Sequence, residues 1–169
     1  MLKELCTLPS ALYRNRRLVK KMAKNDLKSR FAGSYFGTVW AFIQPIVTIL
    51  VYYFVFGIAM RGGAASGDGT PFVLYLVSGI VPWMYFQEGL VNGTNAFLEY
   101  SYLVKKVVFD ISVLPVVKLL SALVIHLFFV AFAMILFACY GYYPDLYYLE
   151  ILYYMLCLFL LILAIVYTT

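Results

Sequence analysis

LYRNRRLVKKMAKNDLKSR, residues 12–30, runs directly into FAGSYFGTVWAFIQPIVTILVYYFVFGIAM, residues 31–60. The first thirty residues of the chain hold nine Lys/Arg, and between Gly37 and Met60 the only strongly polar side chain is Gln44. Val19, Ala23, Leu27 and Phe31 recur at every fourth position, with Leu18 and Met22 beside them. Arg16, Arg17, Lys20, Lys21, Lys24 and Lys28 fall on the other faces. This pattern predicts an amphipathic helix over 12–31 lying on a membrane surface, its apolar side in the acyl boundary and its cations toward phosphates. A solvated cytoplasmic helix is the alternative.

Working outward, the 169 residues are 64% hydrophobic and 12% charged. A soluble domain would be about 45–50% apolar and about 25% charged. A membrane-crossing helix takes about 20 apolar residues, and the sequence supplies four such runs, 38–60, 72–91, 113–139 and 146–169. The expected fold is therefore all-α and polytopic: one interfacial helix and four transmembrane helices. Pro45 sits inside the first span, and Pro82 predicts a kink in the second. RGGAASGDGTP, residues 61–71, and the segment 141–145 around Pro144 carry turn chemistry.

Charge orients these spans. Residues 1–36 hold nine Lys/Arg against Glu4 and Asp26, and the connection after the second span holds Lys105, Lys106 and Lys118. The loop after the first span has only Arg61, and the turn before the fourth has no basic residue. Cytoplasmic segments carry the Lys/Arg excess. The N-terminus and residues 92–112 are thus expected in the cytoplasm of a chain that crosses the membrane several times. The basic segment abuts a span, so anionic lipid rather than nucleic acid is its expected partner. The apolar run of about two dozen residues is too long for a cleaved signal peptide.

No catalytic constellation, P-loop or metal-ligand spacing stands out, and Cys6, Cys139 and Cys157 are not expected to form a structural disulfide. His126, near the middle of the third span, reads either as a functional intramembrane group or as a neutral imidazole bonded to a neighbouring helix. Glu88 reads either as lining a polar path or as part of an already wet helix end. Lys118 is expected to snorkel to the cytoplasmic interface. Gly33/Gly37 and Gly89/Gly93 have the Gly-x-x-x-Gly spacing that permits close helix approach.

Two segments are more specific. In 26–46, Asp26, Leu27, Arg30, Phe36, Gly37, Trp40 and Pro45 fit one signature; in 79–118, Pro82, Trp83, Leu103, Lys106, Val107 and Phe109 fit another. Together they resemble the membrane permeases of ABC-2 exporters for polysaccharides, of the O-antigen and teichoic-acid type. Asp110 stands where that family commonly has proline. The likeness is good over about the first 120 residues, and beyond them it rests on hydropathy alone.

The resemblance implies a permease homodimer working with cytoplasmic ABC ATPase subunits. No cofactor is expected in this chain, ATP and Mg being held by the partner. It also implies a bacterial inner-membrane location and six spans; this sequence ends inside the fourth, so either the protein is truncated or the sequence is a fragment. Residues 95–109 resemble the element that docks on the ATPase, with Tyr100, Leu103, Lys105 and Lys106 as contacts. The 12–31 helix resembles the family's interface helix, where Arg16, Arg17, Lys20, Lys24, Lys28 and Arg30 would meet a lipid-linked diphosphate; the alternative is that these cations only set topology. Aromatic faces pack on sugar C–H faces, so Trp40, Tyr52, Tyr53, Trp83, Tyr85 and Phe86, with Glu88, are candidates for lining a glycan path. Trp40 and Trp83 also suit interface belts. The implied function is export of undecaprenyl-diphosphate-linked polysaccharide by a transport subunit that is not itself an enzyme. A drug or small-lipid permease and a non-transporting membrane scaffold are the alternatives.

Overall fold

The computed structural model describes residues 14–30, 39–59, 69–100, 111–143 and 145–168. Five helices account for most of them: α1 Arg16–Arg30, α2 Trp40–Tyr52, α3 Phe72–Glu99, α4 Leu114–Cys139 and α5 Leu149–Thr168. No strand occurs among the described residues. α2 continues as a π-helical stretch, Tyr53–Ala59, and short 3-10 turns lead into α4 and α5.

Among the described residues, three segments are long and apolar enough to cross a membrane: Trp40–Ala59, Leu114–Cys139 and Leu146–Thr168. The second expected span, 72–91, is not among them; it lies within α3, whose 28 residues exceed the necessary length. Its second half carries Gln87, Glu88, Asn92, Thr94 and Asn95, which dilute its apolarity. α3 also runs unbroken through Pro82 and eight residues past the expected end of that span.

The hub is the first half of α4. From Leu114 to Leu119 every residue is buried, and Ser121, Ala122, Ile125, His126 and Phe129 continue the burial. Such all-round burial requires neighbours on several sides, and α1, α3 and α5 supply them. Leu74, Val77, Val81, Tyr85, Gly89, Gly93 and Ala96 form one stripe of α3 at three- and four-residue spacing, the face a helix presents to a packed neighbour. Tyr85 shares one buried cluster with Val116, Leu119 and Ala122 of α4 and Ile162, Leu163 and Val166 of α5. Ala41 and Ile49 of α2 join Val77, Ile80, Val81, Ile125 and Phe129 in a second cluster. The outward faces, such as Leu50, Phe54, Leu152 and Leu156, stay exposed and apolar, as lipid-facing positions do.

α4 ends in a Schellman cap. Gly141 takes φ +90, its N–H donates to Ala138 O at 3.0 Å, and the N–H of Tyr142 donates to Phe137 O at 3.0 Å. The Phe137 and Tyr142 rings meet across the cap, centroids 6.2 Å apart, the apolar contact that accompanies this motif.

Gly89 and Gly93 serve a contact inside the chain. A Cβ at Gly93 would lie 2.8 Å from Val166 Cγ2 and 3.2 Å from Leu119 Cδ1, while one at Gly79 would meet nothing within 4 Å. Val166 is β-branched and cannot swing aside. Gly93→Ala is therefore expected to cost about 1–3 kcal/mol through overpacking, read as a lower thermal midpoint in detergent. Gly79→Ala should leave that midpoint unchanged or raise it, because Ala is the better helix former.

Candidate functional site

α1 has two chemically opposite sides. Val19, Met22, Ala23, Asp26 and Leu27 share one stripe. Val19, Met22 and Ala23 pack against Val113, Val117 and Leu120 at the start of α4. The apolar side expected in the acyl boundary is thus covered by the protein's own helix, since aliphatic partners on α4 lie within reach. On the other side Arg16, Arg17, Lys20, Lys21, Lys24 and Lys28 are all exposed. The structure brings together five of the six cations singled out from the sequence, and the side chain of Arg30 lies outside the description.

Asp26 is the polar member of the covered stripe and is only 3% exposed. Its Oδ1 accepts from Lys118 Nζ at 2.6 Å and from the Tyr100 hydroxyl at 3.1 Å. Its Oδ2 lies 2.6 Å from Ser121 Oγ. Ser121 Oγ is also 2.9 Å from the Lys118 carbonyl; with one proton it serves one acceptor at a time, and the charged oxygen is the stronger. Lys118 donates in addition to Glu99, and its ammonium stands 5.1 Å from the Tyr100 ring centroid, within cation–π range. The expectation for Lys118 is that it snorkels to the cytoplasmic interface. It is instead 2% exposed, because two carboxylates and an aromatic face already solvate it.

The network joins three elements at one end of the bundle: α1 through Asp26, the close of α3 through Glu99 and Tyr100, and the opening of α4 through Lys118 and Ser121. Glu99 is the last residue of α3, where the helix's negative pole disfavours a carboxylate; the Lys118 ammonium offsets this. Of the residues expected to contact an ATPase, Tyr100 is in this network, whereas Leu103, Lys105 and Lys106 lie outside the described residues.

The glycan-path candidates do not share one wall. Glu88 lines a polar cavity of about 520 Å³ between α2, α3 and α4, with Gln44, Thr48, Gln87 and Asn92. Tyr52 and Trp83 line a separate apolar groove of about 380 Å³ with Phe56, Phe72 and Tyr75. Phe86 stacks on Trp83, centroids 5.8 Å apart. Trp40 and Tyr53 are exposed on α2 and the stretch that continues it. Tyr85 is buried in helix packing: its ring lies on that of His126, centroids 4.6 Å apart at 18°, and its hydroxyl makes a long 3.5 Å contact to Leu119 O. His126 thus meets the neighbouring helix through its ring face. It also borders an apolar cavity of about 490 Å³ that reaches Tyr154 on α5.

Sequence reasoning passed over Asp26 and Lys118 as a pair. A signal was present. Asp26 is an acid on the apolar stripe of a basic helix, and Lys118 is the only charge in a 26-residue apolar helix. Each needs an opposite charge, and nothing in local spacing joins positions 92 apart. Lys118→Met strands the buried Asp26 carboxylate and is expected to destabilise by about 3–5 kcal/mol. Exposed Lys24→Met should change stability by less than about 0.5 kcal/mol. Thermal midpoints in detergent compare the two.

Residues 17–168 match the family described as ABC-2 type transporter. An O-antigen export system permease protein RfbA of Klebsiella pneumoniae is 32% identical over 98 residues, 58% of this chain and 36% of that protein. One of the same name from Myxococcus xanthus is 29% identical over 134 residues, 79% of this chain and 50% of that protein. The chain spans half or less of the length of these curated relatives. With a family match over nearly its whole length and three helices apolar enough to cross a bilayer, the protein is a multi-pass membrane protein that belongs to the ABC-2 type transporter family.

Proposed function

We propose that the chain is the permease subunit of an ATP-driven exporter that moves lipid-linked polysaccharide, O-antigen-like, across the bacterial inner membrane, with its N-terminus in the cytoplasm. The observation that carries this reading is the likeness to two O-antigen export permeases over 58% and 79% of the chain. The geometry supports it. A helix with an exposed cationic face is seated beside apolar spans, where a lipid-linked diphosphate in the inner leaflet would present its charge. Arg16, Arg17, Lys20, Lys24 and Lys28 would hold the diphosphate. The polar cavity around Glu88 offers a carboxylate and three carboxamides, groups that bond hydroxyls, and the Tyr52–Trp83 groove offers ring faces for sugar C–H surfaces.

Transport of this kind needs an energy source, and a separate cytoplasmic ABC ATPase would supply it, docking on residues 95–109. Two permease copies would enclose the pathway. In this reading the chain binds, orients and passes the substrate and performs no covalent chemistry.

Cells lacking the gene should lose surface polysaccharide and accumulate lipid-linked polymer inside. Normal surface polysaccharide in that strain would sink the export reading. For the docking assignment, Leu103→Asp or Lys105→Glu should abolish co-purification with the ATPase subunit while the permease still reaches the membrane; undiminished co-purification would remove 95–109 as the contact.

A further inference from the structure

Glu99 closes α3 and Tyr100 follows it, both inside the stretch 95–109 that the proposed function assigns to the ATPase. Both side chains reach away from their own helix. Glu99 pairs with Lys118 on α4, and Tyr100 donates to Asp26 on α1. The ATPase-proximal end of α3 and the cationic helix α1 are therefore bonded to the same two charges, Asp26 and Lys118, themselves 2.6 Å apart.

Stability alone is a poor account of this cluster. A buried ion pair commonly does no better for stability than apolar side chains of similar volume, and Val19, Met22 and Ala23 meet the start of α4 through aliphatic surfaces. What directional bonds add is position. The aliphatic surfaces of Val19, Met22 and Ala23 on Val113, Val117 and Leu120 tolerate sliding. A carboxylate with donors at both oxygens does not, because a displacement of about 1 Å takes 2.6–3.1 Å contacts out of hydrogen-bond range.

We propose that Asp26 and Lys118 are positioning residues that tie the lipid-facing helix α1 to the end of α3, so that a displacement imposed by the ATPase reaches the cationic face as movement of one body. The route runs from Glu99 and Tyr100 to Lys118 and Asp26, and along α1 to Lys20 and Lys24. It rests on the reading of 95–109 as the ATPase contact. It adds to that reading a defined connection between ATP hydrolysis and the headgroup site.

The test uses the permease with its ATPase subunit in liposomes and compares native protein with Asp26→Asn. The amide keeps the shape: its oxygen can still accept from Tyr100 and its NH2 can donate to Ser121 Oγ, while Lys118 keeps Glu99. The quantity read is polymer translocated per ATP hydrolysed. A purely structural defect lowers the amount of complex and leaves this ratio alone. Coupling between sites is typically worth 5–150-fold, and the ratio is expected to fall about tenfold. In parallel, spin labels at Leu18→Cys on α1 and Val91→Cys on α3, with Cys6, Cys139 and Cys157 replaced by serine, report the distance between the two helices during turnover. It should stay narrow in the native network and broaden in Asp26→Asn.

An unchanged ratio, or an equally narrow distance in the variant, overturns the tie. Should Asp26→Asn not assemble, the native pair decides alone. A constant Leu18–Val91 distance between nucleotide-free and turning-over complex supports the tie; a change of about 5 Å or more, one helical turn, overturns it. A native permease that fails to bind the ATPase subunit overturns the function reading, whereas native binding and export beside a fully coupled Asp26→Asn overturns only the tie.

Discussion

The Asp26 carboxylate sets the terms for everything around it. A charge on the covered stripe of a helix is tolerable only where donors converge on it. Here they come from two other helices: Lys118 and Ser121 from α4 and Tyr100 from the end of α3. That requirement fixes how α1 sits against α4 and how α3 ends. It also obliges α4 to begin where its fifth residue can reach both carboxylates. Moving α1 away from α4 leaves buried charges unpaired, which costs more than any one apolar contact in the region, and moving the end of α3 removes the Tyr100 and Glu99 bonds to them.

Around this fixed end the apolar packing can be simple. Tyr167 on α5 donates to the carbonyl of Ser112 just ahead of α4, so the end of α5 lies beside the start of α4. Gly93 lies against Val166, and Gly89 against Ile162, so α3 and α5 run the same way beside an α4 that runs opposite. Such helices have little hydrophobic drive toward one another in lipid, and close approach at small residues replaces it. The two glycines let α3, α4 and α5 touch where the polar network already holds α3 to α4.

Helix positions were legible in the sequence because apolar run length and turn chemistry are local. Pro71, Gly141 and Asp145 stand at helix boundaries for reasons that a single residue's backbone or side chain supplies. The amphipathic stripe of α1 was equally legible as a stripe. What covers it was not, since acyl chains and the side chains of Val113 and Val117 make the same demand on Val19 and Ala23. Lys118 misled for a related reason. A lysine four residues into an apolar helix either reaches water or finds a carboxylate, and the choice depends on Asp26 and Glu99, 92 and 19 positions away. The aromatic candidates failed to converge because abundance carries no direction: Tyr85 and Trp83 are two residues apart, and α-helical geometry sends one into the packing and the other outward.

The same network settles how the cations of α1 face. Successive helical residues are turned about 100° from one another, so a rotation by one position would carry Asp26 off its donors and bring a neighbour of different chemistry onto the stripe. Leu27 could fill the space but could not satisfy Lys118; Asn25 could accept a hydrogen bond but would leave the ammonium without its buried counter-charge. Only one phase satisfies Lys118, Tyr100 and Ser121 together. In that phase Arg16, Arg17, Lys20, Lys21, Lys24 and Lys28 are all exposed. The direction of the positive face is therefore a consequence of one acid on the opposite side of the helix, and it holds whether the cations meet lipid phosphate in general or the diphosphate of a particular substrate.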